Sequence, residues 1–256
     1  SFVDYLGVDN TAKFDRKNLS AVANLKVDRL TLNASVLRLD QYGLAGADNN
    51  WDFGDPHDNN NHTALMLDAG YNFALGENSS LDANITYNRH VWETDGDQAQ
   101  YGNDFMGELT FKSAPTERLN LVLGGTVASH KWSGDLLING DVTQGNLYAQ
   151  IDYKLTDALK LIGGVQWNKI EGVDANISPR AGLIYNFTEN VGVKALYSKA
   201  FRKGYPLETS FDIFVFRGNL ELQPELVDTL ELQLFTQGEK AQFNITGYYS
   251  KMTNMI

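Results

Sequence analysis

The sequence predicts an all-β protein, an antiparallel up-and-down transmembrane β-barrel. Three observations carry this. Apolar and polar residues alternate with a period of two in about a dozen stretches. The gaps between the stretches alternate short with long. Aromatic residues collect near both ends of the apolar face.

The elements follow in order. Leu19 to Val27 and Leu30 to Val36 form a first pair, joined by the two-residue turn Asp28-Arg29. A long gap, about Asp40 to His62, leads to Leu65 to Phe73. The short Gly76 to Ser79 leads into Leu81 to Tyr87, where Leu81, Ala83, Ile85 and Tyr87 share one face. A longer gap, ETDGDQAQYG, precedes Phe105 to Phe111. The short Ser113 to Arg118 joins that strand to Leu119 to Val127. The longer Ser133 to Val142 leads to Leu147 to Leu155, and Thr156-Asp157 is a tight link to Leu159 to Trp167. Glu171 to Asn176 separates this strand from Ala181 to Phe187. Thr188 to Asn190 leads to Val191 to Tyr197. The very long Arg202 to Pro224 precedes Leu230 to Leu234, and Thr236 to Lys240 precedes Phe243 to Tyr249.

This alternation puts the tight turns at one end of the meander and the large loops at the other, as outer-membrane barrels do. About eleven residues per strand, tilted ~45°, match an apolar belt roughly 25 Å tall. Strands running toward the tight turns finish with outward Tyr71, Phe73, Phe111, Tyr153, Tyr185 and Phe187. Strands running toward the long loops place Tyr87, Trp167, Tyr197 and Tyr249 at their far ends. These make two girdles suited to two lipid–water interfaces. Phe235 breaks the pattern, its parity pointing inward. Alternation alone also fits a soluble sandwich, so loop sorting, girdles and strand length decide.

Composition narrows the rest. There is no cysteine, hence no disulfide or thiolate metal site. The net charge of −11 argues against nucleic-acid binding. No run of ~20 apolar residues reads as a membrane-spanning helix. Six strands rising toward the long loops carry an outward basic residue at the far end: Arg38, Arg89, Lys131, Lys169, Lys199 and Lys251. The descending strands carry none there. A cation costs ~2–4 kcal/mol at the bilayer midplane and ~0–1 at its interface, so these belong at the rim. Both a belt meeting lipopolysaccharide phosphates and general snorkelling fit this pattern.

From about Ile177 onward the chain resembles the barrel of TonB-dependent outer-membrane receptors. The family's SPR-x-x-L-x-Y pattern corresponds to Ser178-Pro179-Arg180 and Tyr185, and its [YF]-x-x-[AG]-F-[KR] segment to Tyr197 to Arg202. Its G-N-x-x-L-x-P-E motif corresponds to Gly218 to Glu225. Lys203-Gly204-Tyr205-Pro206 departs from the family, which often reads A-P there. The resemblance implies a 22-stranded barrel in an outer membrane, of which about twelve strands are present. It also implies a plug domain and closing strands outside residues 1–256. A nutrient such as a ferric siderophore, haem or cobalamin would be imported with energy drawn from the TonB complex through the plug. A passive porin and a soluble carbohydrate-binding sandwich are the alternatives.

No catalytic constellation is visible, so no enzyme is expected. Ligand contacts are expected from the long loops, at Trp51, His57, Tyr205, Phe214 and Arg217. Asp48, Asp52, Asp55 and Asp58 make the first long loop dense enough in oxygen ligands for calcium. Their spacing matches no EF-hand, and a solvated acidic loop is the alternative. No other cofactor is expected.

Overall fold

The computed structural model describes residues 2–3, 9–10, 15–42, 59–94, 98–210, 212–213, 216–238 and 241–255. Two short strands, β1 (Phe2–Val3) and β2 (Asp9–Asn10), pair with each other. A 12-stranded antiparallel sheet follows. It begins β3 (Asp15–Val27), β4 (Leu30–Tyr42), β5 (Asn59–Ala74), β6 (Ser79–Thr94) and β7 (Gln98–Thr116). It continues β8 (Leu119–Gly134), β9 (Gly140–Lys154), β10 (Leu159–Ile170), β11 (Asn176–Asn186) and β12 (Val191–Arg202). A helical turn, α1 (Pro206–Thr209), and a small hairpin, β13 (Asp212–Ile213) with β14 (Phe216–Arg217), intervene. β15 (Glu225–Gln237) and β16 (Gln242–Thr253) complete the sheet, and β12 pairs directly with β15. Within the 12-stranded sheet the strands stand in chain order, which is the expected meander.

Register shows that the apolar face is continuous. Ala69, Ile85, Gly107, Val127 and Gly145 lie side by side across five strands. Among the described residues no second layer covers this face. Ile85 is 55% exposed, Leu123 50% and Ile151 46%. Among the described residues the buried hydrophobic ones are Ala128, Leu136 and Ile170, too few for a protein core. An apolar sheet face this large needs an apolar solvent, so the soluble sandwich is ruled out by geometry. No described helix is long and apolar enough to cross a membrane.

The opposite face is polar and internally bonded. Tyr148 donates to Glu108 Oε1 at 2.8 Å and lies 2.6 Å from the Thr110 hydroxyl. Its ring lies over Gly124, where a Cβ would collide with it. Lys112 pairs with Asp82, and Lys160 with Asp152 at 2.8 Å. Phe235 does point inward, as its parity requires. It packs over Gly192, with Lys194 Nζ 4.9 Å from its ring centre.

The links expected from the sequence to be tight all fall at one end. Asp28 takes a left-handed φ of 52°, which a short polar side chain tolerates. The Thr188 hydroxyl accepts from the N–H groups of Asn190 and Val191, closing the turn before β12. At the other end the strands run further than alternation indicates. The stretch expected as a loop around Glu93 to Gly102 is largely ladder, with Glu93 paired to Ala99, and the one from Ser133 to Val142 narrows to 135–139 above the Trp132–Gly140 pair. Beyond the lipid both faces meet water, so alternation fades while main-chain pairing continues.

Candidate functional site

The extended outer end and the segment after β12 build a pocket on the inner side. Arg202 ends β12 and holds the segment at its root. Its guanidinium bonds Glu225 at 2.7 Å, across the β12–β15 pair, and Glu208 of α1 at 3.0 Å. Both carboxylates push the guanidinium further up its already high range, and Arg202 holds Glu208 below the usual carboxylate range. The Tyr205 ring stacks against the same guanidinium at 5.0 Å.

Gly218 explains the start of its motif. A Cβ there would stand 2.6 Å from the Thr209 carbonyl carbon and 2.8 Å from the Ser210 nitrogen, both backbone atoms. The chain therefore folds back on α1 only with glycine at this position. Asn219 next donates its N–H to Glu208 O, and its side chain accepts from Glu221 N at 2.9 Å. Ser210, 1% exposed, passes its carbonyl to Ile138 N at 2.7 Å, and Asp212 N reaches Leu136 O. The segment is thus strapped across the crest of the β8–β9 hairpin.

Beneath the strap is a cavity of about 540 Å³, within the range of ligand pockets. Trp132, Phe201 and Tyr205 supply aromatic surface; Asp104, His130 and Lys203 supply charge. His130 Nδ1 lies 2.8 Å from Asp104 Oδ1, an arrangement in which the ring N–H donates to the carboxylate. The Trp132 indole donates to Ile138 O at 2.9 Å and packs on Gly140, which fixes the ring. Burial lowers the Lys203 ammonium from its ordinary value, partly offset by Glu171.

Next along the wall, His62 and His90 stack with centroids 5.8 Å apart and planes 7° from parallel. Burial, and then the His90 charge, hold His62 below its ordinary 6.5. A lowered histidine favours the neutral stack, so the stack is stable at higher pH. Its stability is lost as pH falls from about 6.5 through the His62 value. We expect proton NMR titration to place His62 below 6.5, and His90→Ala to move it partway back up.

Of the expected ligand residues, Tyr205 lines this cavity. Arg217 does not; it pairs with Asp212 across the β13–β14 hairpin at 3.0 Å. Trp51, His57 and Phe214, and the calcium candidates Asp48, Asp52, Asp55 and Asp58, lie outside the described residues. Arg38, Arg89, Lys131, Lys169, Lys199 and Lys251 stand on the outward parity near the loop ends of their strands; Arg89 and Lys131 share the partner Asn103, and Lys199 and Lys251 share Asp228. β3, a descending strand, adds Lys17 one outward step further, opposite Asp40. Sequence reasoning missed Asp104, His130, Trp132, Phe201 and Lys203. The exact pairing register is the signal that assembles them.

The fold has relatives among known proteins. The family described as "TonB dependent receptor-like, beta-barrel" matches residues 2–256. The chain belongs to this family. The vitamin B12 transporter BtuB of Vibrio cholerae is 23% identical over 263 residues, covering 79% of this chain and 41% of BtuB. The siderophore receptor PirA of Pseudomonas aeruginosa superposes with a TM-score of 0.75 at 13% identity, over 93% of this chain and 46% of PirA. The FrpB iron transporter of Neisseria meningitidis gives 0.73 at 14% identity, over 98% of this chain and 46% of FrpB. The chain thus spans less than half the length of these relatives. As a member of the receptor-barrel family, it presents its apolar face to lipid and its polar face to the barrel interior.

Proposed function

We propose that this barrel wall belongs to an outer-membrane receptor of a Gram-negative bacterium. It captures a scarce nutrient at its outer mouth and imports it with energy delivered through TonB. The nutrient class is a ferric siderophore, haem, cobalamin or a related large ligand. The observation that supports this reading is the strapped cavity on the inner side, walled by β7, β8 and the segment after β12. It mixes aromatic surface with a few aimed polar groups, as ligand pockets do. Lys203-Gly204-Tyr205, where the sequence departs from its family, lines this cavity. Divergence at a ligand-facing position is what a distinct cargo requires.

The test is growth of a deletion strain with ferric siderophores, haem or cobalamin as sole source. It is followed by binding of the ligand so identified to the full-length receptor. Trp132→Ala and Lys203→Ala are each expected to weaken binding about tenfold or more, ~1.4 kcal/mol. Uptake that persists in a strain lacking TonB returns the passive channel instead.

A further inference from the structure

Charge is spread unevenly along this chain. The five stretches of sequence that follow rim cations, 39–62, 90–102, 132–140, 170–175 and 200–227, hold fifteen Asp and Glu against three Lys and Arg. The remainder holds seventeen acidic and eighteen basic residues, so these stretches account for the net charge of −11. Two of their three cations are already engaged. Arg202 bonds Glu208 and Glu225, and Arg217 bonds Asp212. The third, Lys203, lies on the wall of the strapped cavity.

That cavity has a neighbour. A second space of about 450 Å³ lies over the 171–175 crest and shares Phe201, Lys203 and Thr209 with the first. Glu171, Asp174 and Glu221 line it. The Glu171 carboxylate is held in place by accepting from Thr143 N at 3.2 Å. The first cavity adds Asp104, whose charge is matched by His130 only when that ring is protonated. An aromatic space, with Trp132, Phe201 and Tyr205, thus adjoins an acidic one, and Lys203 stands at their junction.

An anionic cargo is badly served by this arrangement. Haem brings two carboxylates, and a ferric tris-catecholate is triply negative. Each would approach through an acidic field and meet one ammonium. A cation gains from the same field, both in encounter and in binding.

We propose that the cargo is a cationic metal chelate, a ferric siderophore with a free ammonium arm. Its apolar face lies on Trp132, Phe201 and Tyr205, and its ammonium sits among Glu171, Asp174 and Glu221. Lys203 donates to the chelating oxygens. This rests on the receptor reading above and narrows it to one of the classes named there.

The test uses the full-length receptor and one ferric trihydroxamate in three forms: with a free amine, with that amine acetylated, and with it succinylated. The chelate stays constant while its charge runs from positive through neutral to negative. The amine form is expected to bind about tenfold more tightly than the acetylated form, and the succinylated form to bind weakest. Raising the ionic strength from about 0.01 M to about 0.15 M shortens the screening length from ~30 to ~8 Å. This is expected to weaken the amine form severalfold and to leave the acetylated form unchanged. The combined variant Glu171→Gln, Asp174→Asn, Glu221→Gln, with heat-modifiable mobility intact, is expected to cut the preference for the amine about threefold or more. The inference is overturned by equal binding of the three forms, by no binding of the amine form, or by an unchanged preference in the carboxylate variant. It is also overturned if haem or a ferric tris-catecholate binds more tightly than the amine form. If the variant does not fold, the three-form comparison on the unaltered receptor decides. A receptor that supports growth on no nutrient class, with TonB present, overturns the receptor reading instead.

Discussion

Ile85→Arg is expected to destabilise the folded barrel by ~2–4 kcal/mol. Ile85 sits midway along its strand on the outward row, between Ala69 and Gly107, and is 55% exposed to the surroundings of the barrel. If those surroundings are acyl chains, a guanidinium there loses its water and finds no partner. Asn84→Arg, one residue away, points inward, beside Glu108 on the neighbouring strand. Its cost is expected to be far smaller, because the interior accepts polar and charged groups. The measurement is the denaturant midpoint for reversible folding of the full-length receptor into lipid vesicles. Equal costs at the two positions would mean that the apolar face does not meet lipid.

Gly218→Val is expected to abolish ligand binding while leaving the barrel folded. The added side chain meets the backbone of Thr209 and Ser210, and neither can yield as a flexible side chain would. The strap must then lift from α1, breaking the Asn219 N–H to Glu208 contact and the Ser210 to Ile138 contact that hold it over the cavity. Binding should fall by more than the tenfold expected of Trp132→Ala. Heat-modifiable mobility should stay unchanged, because the strands do not depend on the strap. If Gly218→Val binds normally, the strap is not what shapes the mouth.

Twelve strands, their order and their lipid-facing side were legible because each strand has one wet and one apolar face. Leu81, Ala83, Ile85 and Tyr87 announce that by parity alone. The strand extensions were not legible. From Arg89 to Thr94 and from Gln98 to Asp104, both faces meet water, so no alternation marks the ladder that the register shows. The pocket failed for a sharper reason. Even counting back from the Thr116–Leu119 turn sets Asp104 opposite Lys131. An irregularity between Ser113 and Thr116 shifts the register by one and brings Asp104 to His130 instead. One residue of slip exchanges the faces of a whole strand, and nothing in the local sequence declares it. The clamp was half legible. Arg202 and Glu225 stood out as motif residues, but their pairing across β12 and β15 needed the sheet.

The height of the β5–β8 ladders has a practical consequence. A protease needs several residues of unpaired, extended chain to enter its cleft, and a hydrogen-bonded ribbon offers none. Above the rim, cutting of the described chain is therefore confined to the crests at 135–139 and 171–175 and to the strap. The first crest is itself tied down by Ser210 and Asp212. Limited digestion of intact cells should nick 171–175 first, leaving a receptor in two pieces that still migrates as one until it is boiled.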